Sequence, residues 1–251
     1  NLQYASPDFG ATLSSVTFLF LVITPILTMR ILAEEKKNRT DQLLLTAPVS
    51  VWKVILGKYL SMVTIYAIPV VISAFYPLIM GRYGVISYPM AYVAVIGFFF
   101  LGCAQIAVGL FLSSVTESQV IAAVLTFGIL FCSYMMDGIE SFFSDTAISS
   151  MVAFLIIAVV VGIVVYQLTK NIIFSSCVGG VLVIGIAAVY FIKPTVFTGL
   201  IQKFLNLFAI ANHFDDFVGG IFDVTGIIYM VSVVCIFVFL TVQCIQKRRW
   251  S

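Results

Sequence analysis

Residues 91–112 read AYVAVIGFFFLGCAQIAVGLFL, a stretch without a single charged side chain. A helix that crosses the hydrocarbon core of a bilayer needs roughly 20 consecutive apolar residues, and this stretch is long enough. The strands of membrane barrels instead alternate between apolar and polar residues over about 10 positions. The stretch therefore predicts a transmembrane α-helix, in which Gln105 either hydrogen-bonds a neighbouring helix or contacts a substrate.

The rest of the chain has the same apolar character. Hydrophobic residues make up 62% of its 251 residues and charged residues 10%, whereas a soluble domain carries about 25% charged residues. So few charges could not cover the surface of a soluble protein of this length. The sequence therefore predicts an all-α, polytopic transmembrane helix bundle with seven visible spans. They cover Leu13–Ala33, Val54–Met80, Ala91–Leu112, Gln119–Met136, Met151–Thr169, Ile172–Ile192 and Ile227–Ile245.

The charged residues predict how the bundle is oriented, because basic residues are retained on the cytoplasmic side of short loops. When the spans are threaded alternately, ten of the 13 basic residues fall on one side and seven of the 11 acidic residues on the other. We therefore expect a multi-pass protein of the bacterial inner (plasma) membrane, with residues 30–58 and the C-terminus cytoplasmic. Retention during insertion, with attraction to membrane lipid, accounts for the basic residues, and nucleic-acid binding is not expected. The ten are Arg30, Lys36, Lys37, Arg39, Lys53, Lys58, Lys170, Lys247, Arg248 and Arg249.

The loop between the first two spans carries the most specific pattern. A charge cluster at Glu34–Lys37 is followed by Thr40, which suits the N-cap of a short helix. Leu43–Leu45 then form an apolar group, and Pro48 ends this helix because the residue before a proline avoids the helical region. Ser50 suits the cap of the next span. An exposed apolar patch usually marks an interaction site; the alternative is a charged loop with an incidental apolar turn.

Three stretches carry a resemblance to a known family. They are residues 29–58, with TDQLLLTAPVS at 40–50; residues 109–119, GLFLSSVTESQ; and residues 212–223, NHFDDFVGGIFD. These stretches resemble the type-2 ABC permeases, and within them the gliding-motility-type and nitrous-oxide-reductase-accessory permeases. The order of the stretches, and the side of the membrane on which each is predicted, agree with that family.

The resemblance implies a coupling helix between the first two spans, which fits a cleft of a separate ATP-binding subunit. It implies a permease of the exporter kind, without a catalytic site of its own and without a cofactor, since ATP and Mg would bind to the partner ATPase. A second permease copy or a paralogue, membrane lipid and an extracytoplasmic accessory subunit are the other expected partners. The implied ATPase-coupling interface comprises Glu34, Glu35, Thr40, Asp41, Leu43, Leu44, Leu45, Thr46 and Pro48. The implied outer exit region comprises Phe214, Asp215, Phe217 and Asp223.

Two features depart from the family pattern. Family members begin with a cytoplasmic interfacial helix and a first span, which the sequence from Asn1 onward does not contain, so we expect eight spans in an intact chain. The two spans within residues 151–192 exceed the usual six-span core and are interpreted as an inserted helical hairpin. Residues 1–251 are otherwise expected to form a single transmembrane permease domain.

Motifs for catalysis are not found in the sequence. Gly57-Lys58 is followed by Tyr59 and lacks the glycine-rich lead of a phosphate-binding loop. His213 stands beside Asp215 and Asp216, which suggests either a metal or general-base site or a solvated histidine on an amphipathic helix at the outer membrane surface. The second interpretation is favoured because apolar residues recur around it at helical spacing. Those residues are Phe204, Leu207, Ala211, Phe214, Val218 and Ile221.

Two other functional classes stay open. A non-transporting membrane scaffold, which anchors an ATPase or an extracytoplasmic partner, would keep the leucine-rich segment but need no translocation path. An ion-coupled carrier is disfavoured because the predicted spans carry no acidic residue away from their ends. The substrate is not encoded in a recognisable motif, and an uncharged path favours lipidic, peptide or otherwise amphipathic cargo.

Overall fold

The computed structural model describes residues 9–40, 49–82, 86–142, 144, 146–169, 180, 181, 183, 185, 186, 190 and 197–249. This part of the chain forms helices and turns without a strand. Its helices are α1 (Phe9–Lys37), α2 (Val51–Ala74), α3 (Tyr76–Met80), α4 (Tyr88–Val115), α5 (Gln119–Ser141), α6 (Ala147–Thr169), α7 (Leu200–Asn206), α8 (Asn212–Val218) and α9 (Val224–Arg249).

Five of the predicted spans are confirmed as helices long and apolar enough to cross a membrane. The predicted span within Met151–Thr169 lies in α6, whose apolar part Ala147–Val159 is shorter than a span among the described residues. The predicted span Ile172–Ile192 falls largely outside the described residues. The totals of seven and eight spans, and the inserted hairpin, therefore stay predictions. The confirmed spans are Phe9–Lys37, Val51–Met80, Tyr88–Val115, Gln119–Met136 and Val224–Lys247.

The chain divides into two compact units. The first comprises Asn1–Tyr134 together with Ile210–Ser251, and the second comprises Met135–Ala209. The first unit holds α1 to α4, most of α5, α8 and α9. The single permease domain expected over residues 1–251 stays a prediction.

Helix α4 lies at the centre of the first unit, in contact with α1, α2, α8 and α9. The consecutive residues Ile106, Ala107 and Val108 are all fully buried, and consecutive residues of a helix point to different sides of it. Neighbouring helices therefore surround α4 over this stretch. Small residues allow close approach: a methyl group added at Gly102 would overlap the ring of Tyr66, and one at Gly109 would overlap Thr28.

Helix α2 packs one stripe of its surface on α4. Tyr59 and Tyr66 are buried there, and the Tyr59 hydroxyl donates to the Cys103 carbonyl at 3.1 Å. The Tyr66 hydroxyl donates to the carbonyl of Phe98 at 2.6 Å. The opposite face of α2 exposes large apolar side chains such as Leu60. This distribution suits a helix with one protein-facing and one lipid-facing side.

The amide of Gln105 takes part in a contact between helices. Thr24 on α1 donates from its hydroxyl to the Gln105 side-chain oxygen at 3.4 Å, and both residues are buried. Hydrogen bonds between polar side chains hold transmembrane helices together because lipid offers no alternative partner. Of the two roles considered for Gln105, the structure therefore favours the bond to a neighbouring helix.

The expected continuous amphipathic helix around Phe204–Ile221 is wrong. Helix α7 ends at Asn206, and α8 begins at Asn212. The main-chain N–H of Ile210 donates to the Ser133 hydroxyl at 3.0 Å. In a continuous helix the N–H of Ile210 would bond a main-chain carbonyl four residues earlier, but here the Ser133 hydroxyl satisfies it instead. Apolar periodicity alone therefore predicted too long a helix.

The second unit has its own packing. Helices α6 and α7 are in contact, and the N–H of Ile201 donates to the Ser150 hydroxyl at 3.4 Å. Phe154 contacts Phe204 edge-on, with ring centroids 5.6 Å apart. Aromatic edge-to-face pairs of this kind add to the burial of apolar area.

Candidate functional site

The predicted ATPase-coupling interface lies between the end of α1 and the start of α2. Glu34, Glu35 and Thr40 belong to the described residues. The other predicted interface residues lie outside the described residues, and so does the short helix expected there. They are Asp41, Leu43, Leu44, Leu45, Thr46 and Pro48.

A sharp turn follows α1. Thr40 donates from both its N–H and its hydroxyl to the Glu35 carbonyl, at 3.0 and 3.3 Å. Arg39 adopts a left-handed conformation with φ of 57°, which costs a residue other than glycine about 1–2 kcal/mol. The turn satisfies carbonyl groups at the end of α1. That Thr40 also caps a following helix stays a prediction.

Helix α2 starts where the sequence predicts a cap. Ser50 has an extended backbone, and its hydroxyl accepts from the N–H of Lys53 at 3.5 Å. An N-cap hydroxyl satisfies one of the first amide groups of a helix. The cap predicted at Ser50 is therefore confirmed.

An ion pair joins α1 to α2. The ammonium of Lys58 contacts the carboxylate of Glu35 and donates to the Ile31 carbonyl at 3.3 Å. The side chains are 19% exposed for Lys58 and 34% for Glu35, so water screens the pair only in part. Glu35 is thus a predicted interface residue that also joins α1 to α2.

A second lysine joins α1 to α4. Lys36 is buried, with 8% of its surface exposed, and its ammonium donates to the carbonyl of Ser114 in the last turn of α4. Carbonyl groups at a helix C-terminus carry partial negative charge, which favours a cation there. The thiol of Cys244 on α9 lies 3.5 Å from the same carbonyl oxygen. The ends of α1, α4 and α9 therefore meet at the Ser114 carbonyl.

A buried hydroxyl reinforces this junction one turn earlier. Ser113 on α4 donates to the Met29 carbonyl at 3.2 Å. It accepts from the N–H groups of Leu32 and Ala33 at 3.2 and 3.1 Å. One donor and two acceptor lone pairs are all that a hydroxyl offers, so its bonding capacity is used in full on the backbone of α1.

We call the contacts made by Glu35, Lys36, Lys58, Ser113 and Ser114 the basic-end junction. From the sequence, the two lysines were not predicted to bond neighbouring helices, and the two serines stood out only as part of a resemblance. In the sequence, these contacts were indicated by charges of opposite sign at the ends of neighbouring spans. Which residues pair was not predictable, because the pairing depends on how the helices pack.

At the opposite end of the first unit, the two phenylalanines of the predicted exit region pack against α4, whereas Asp215 is exposed. Phe214 and Phe217 are 2% and 0% exposed. A methyl group added at Gly97 would lie 2.5 Å from the Phe217 ring, and the rings of Phe98 and Phe214 are 6.0 Å apart. A role of these residues in an exit path stays a prediction that requires α8 to move.

Asp223 caps α9, the last span. Its carboxylate accepts from the N–H groups of Thr225 and Gly226 at 2.9 and 2.7 Å. The bond from Thr225 is the largest reason that the pKa of Asp223 lies below its usual value, because it stabilises the charged form. Asp223 is therefore placed to hold the start of this helix.

The interpretation of His213 as a solvated histidine needs correction. Its ring is half-buried and stacks on Tyr229, with centroids 3.9 Å apart and planes inclined by 9°. Among the described residues no group of three or more histidine, cysteine or acidic side chains could hold a metal ion. The position of His213 is that of a packing residue beside α9.

The part of the chain that contains most of these features matches a known protein family. A profile of the ABC-2 family transporter proteins matches residues 1–143, more than half of the 251 residues. The matched range contains α1 to α4 and the whole basic-end junction. No curated protein and no solved structure matches the chain. The chain therefore belongs to the ABC-2 transporter family and is a multi-pass membrane permease of an ABC transporter.

Proposed function

We propose that the chain is the permease subunit of an exporter, in which ATP hydrolysis on a separate ATPase drives movement of the spans. The observation that carries this proposal is the basic-end junction. Lys36 and Lys58 tie both flanks of the segment 41–48 to helices of the bundle. A force applied to this segment would therefore reach the spans rather than be absorbed by a loose loop.

The partner would bind the segment through its three consecutive leucines, Leu43–Leu45. Beside them, the end of α1 exposes Lys37, Asn38 and Arg39 to solvent. An apolar group within a polar rim is the usual composition of a protein interface. ATP and Mg would be bound by the partner, which is expected to carry the phosphate-binding loop that this sequence lacks.

Dimerisation and export complete the proposal. Helix α4 is enclosed by other helices of its own unit, so we place the translocation path between two permease copies or between this chain and a paralogue. The likeness to gliding-motility-type and nitrous-oxide-reductase-accessory permeases supports export, with an accessory subunit on the extracytoplasmic side. The lack of acidic residues deep in the spans favours amphipathic cargo.

A pull-down of the full-length protein tests the ATPase partnership. The tagged permease would be purified in detergent and tested for capture of ATPases encoded nearby, with Leu44→Asp as the interface variant. Asn38→Asp is the matched control, since it adds the same charge at an exposed position just before the segment. We expect capture by the wild type and by Asn38→Asp, and loss of capture by Leu44→Asp.

Four results would contradict all or part of the proposal. Failure to capture any ATPase would favour an ion-coupled carrier. Capture that Leu44→Asp leaves unchanged would place the interface elsewhere. Capture without ATP-dependent flux of any amphipathic probe in reconstituted vesicles would favour a scaffold, and ATP-dependent uptake into right-side-out vesicles would refute export.

A further inference from the structure

The basic-end junction joins the coupling segment to a helix that does not flank it in sequence. Covalently, residues 41–48 are connected only to α1 and α2. Through space, however, Lys36 and Ser113 attach the end of α1 to the end of α4. A movement of the segment would therefore act on α4 as well as on α1 and α2.

The attachment is of a kind that resists sliding. Lys36 is a buried cation, and a buried ammonium needs close acceptors because burial removes its water. Its acceptor, the Ser114 carbonyl, lies at the C-terminus of α4, where the helix dipole adds attraction. Ser113 bonds both the carbonyl of Met29 and the N–H of Ala33, so a shift of α1 along α4 would break several bonds together.

Helix α4 is the element best placed to distribute movement. It contacts α1, α2, α8 and α9, and at Gly102 and Gly109 the side chains of Tyr66 on α2 and Thr28 on α1 lie against its backbone. Near its other end, Gly97 and Phe98 lie against Phe217 and Phe214 of α8. Displacement of α4 would therefore disturb α8 directly.

We propose that Lys36 and Lys58 are positioning residues that lock the end of α1 to α4 and α2, so that the end of α1 and α4 move as one body. This inference rests on the proposed function, since the movement is that of a permease driven by an ATPase. It adds that α4, rather than α1 and α2 alone, carries the motion from the basic end toward α8.

Distances between spin labels test the lock. One label would be placed at Asn38→Cys, in the exposed turn after α1, and one at Ile96→Cys, a 40% exposed position on α4. The native cysteines would be replaced first, with Cys244→Ser to keep a donor near Ser114. The protein would be measured in nanodiscs, first alone and then with the captured ATPase and a trapped nucleotide.

We expect one narrow distance distribution for the wild type, unchanged when nucleotide is trapped. Lys36→Met combined with Lys58→Met should broaden the distribution in the free permease and shift it on trapping. Lys37→Met is the matched control, a lysine adjacent in sequence but exposed, and it should behave like the wild type. Lys58→Arg, which keeps the positive charge, should leave the distribution narrow, and this separates positioning from general misfolding.

The measurement without ATPase keeps this inference separate from the proposed function. Unchanged distributions in the double variant would overturn the lock even if an ATPase is captured. A wild-type distance that shifts on nucleotide trapping as far as the variant's would overturn movement as one body. Failure to capture an ATPase would contradict both the proposed function and the coupled motion. If the double variant still broadened the distance distribution, the attachment of α1 to α4 in the free permease would nevertheless be supported.

Discussion

Lys58 on α2 contacts α1 twice, through the carboxylate of Glu35 and through the carbonyl of Ile31. The contact with Glu35 depends on opposite charges, whereas the contact with the Ile31 carbonyl requires only a hydrogen-bond donor. Lys58 and Glu35 stand 23 positions apart in the sequence, on the two helices that precede and follow the coupling segment. Their pairing therefore holds the end of α1 beside the first half of α2.

The ion pair predicts a measurable coupling between the two side chains. Glu35→Gln and Lys58→Met should each lower the midpoint of thermal unfolding in detergent. The double variant should lose less than the two single losses combined, by a coupling free energy of about 1 kcal/mol, because the pair is partly exposed and screened. Additive losses would show that the contact contributes nothing to stability. Lys53→Met, an exposed cation near the start of α2, should show no coupling to Glu35→Gln.

Close approach at the centre of the unit predicts opposite effects of one substitution at two glycines. Gly102→Ala places a methyl group against the ring of Tyr66 and should destabilise the protein by about 1–3 kcal/mol, as overpacking does. Gly128→Ala in α5 meets nothing within 4 Å, and alanine's helix propensity should make it neutral or stabilising by up to about 1 kcal/mol. Thermal unfolding of both variants tests these two expectations. Equal destabilisation would mean that the packing of α2 on α4 is not as described.

The confirmed spans could be predicted because they depend on composition alone. Residues 91–112 had to be a spanning helix whatever their neighbours were, and Gln105 needed a polar partner at that depth. The central place of α4 was less accessible, since every span is apolar and periodicity says little about which faces meet. The break between α7 and α8 was missed because the Ser133 hydroxyl, distant in sequence, bonds the main chain at Ile210.

For a similar reason, some functional positions were predicted correctly from the sequence and others were not. Ser50 is a local cap and was found from its own neighbourhood. Lys36 and Lys58 act across helices, and nothing in a single sequence states which carbonyl or carboxylate they meet. The buried positions of Phe214 and Phe217 likewise follow from small residues on α4, which the spacing within α8 does not reveal.

Asp223 predicts a pH-dependent stability of the last span. Its pKa in the folded protein is lowered, first by the N–H of Thr225, so it binds its proton less readily when folded than when unfolded. The stabilisation is therefore fully present above the usual aspartate pKa of 3.8 and is lost as the pH falls through the lower folded value. Asp223→Ala should lower the unfolding midpoint at neutral pH, and its difference from the wild type should shrink in acid.

Two variants separate the cap from the charge of Asp223. Asp223→Asn keeps a side-chain acceptor for the start of α9 and should retain most of the stability, without the acid-dependent loss. Asp216→Ala removes an exposed carboxylate on α8 and should change neither the midpoint nor its pH profile. A difference between wild type and Asp223→Ala that stays constant below pH 4 would contradict the assignment.

The orientation inferred from charge predicts which residues a reagent reaches from each side of the membrane. The thiol of Cys244 lies beside Ser114 in the last turn of α4, so the end of α9 lies at the same end of the unit as the junction. With native cysteines replaced, Asn38→Cys should be shielded from an impermeant maleimide in intact cells and labelled in inverted vesicles. Asp216→Cys should show the reverse, because α8 packs near the start of α4. Labelling of Asn38→Cys from outside would invert the topology and remove the coupling segment from the reach of a cytoplasmic ATPase.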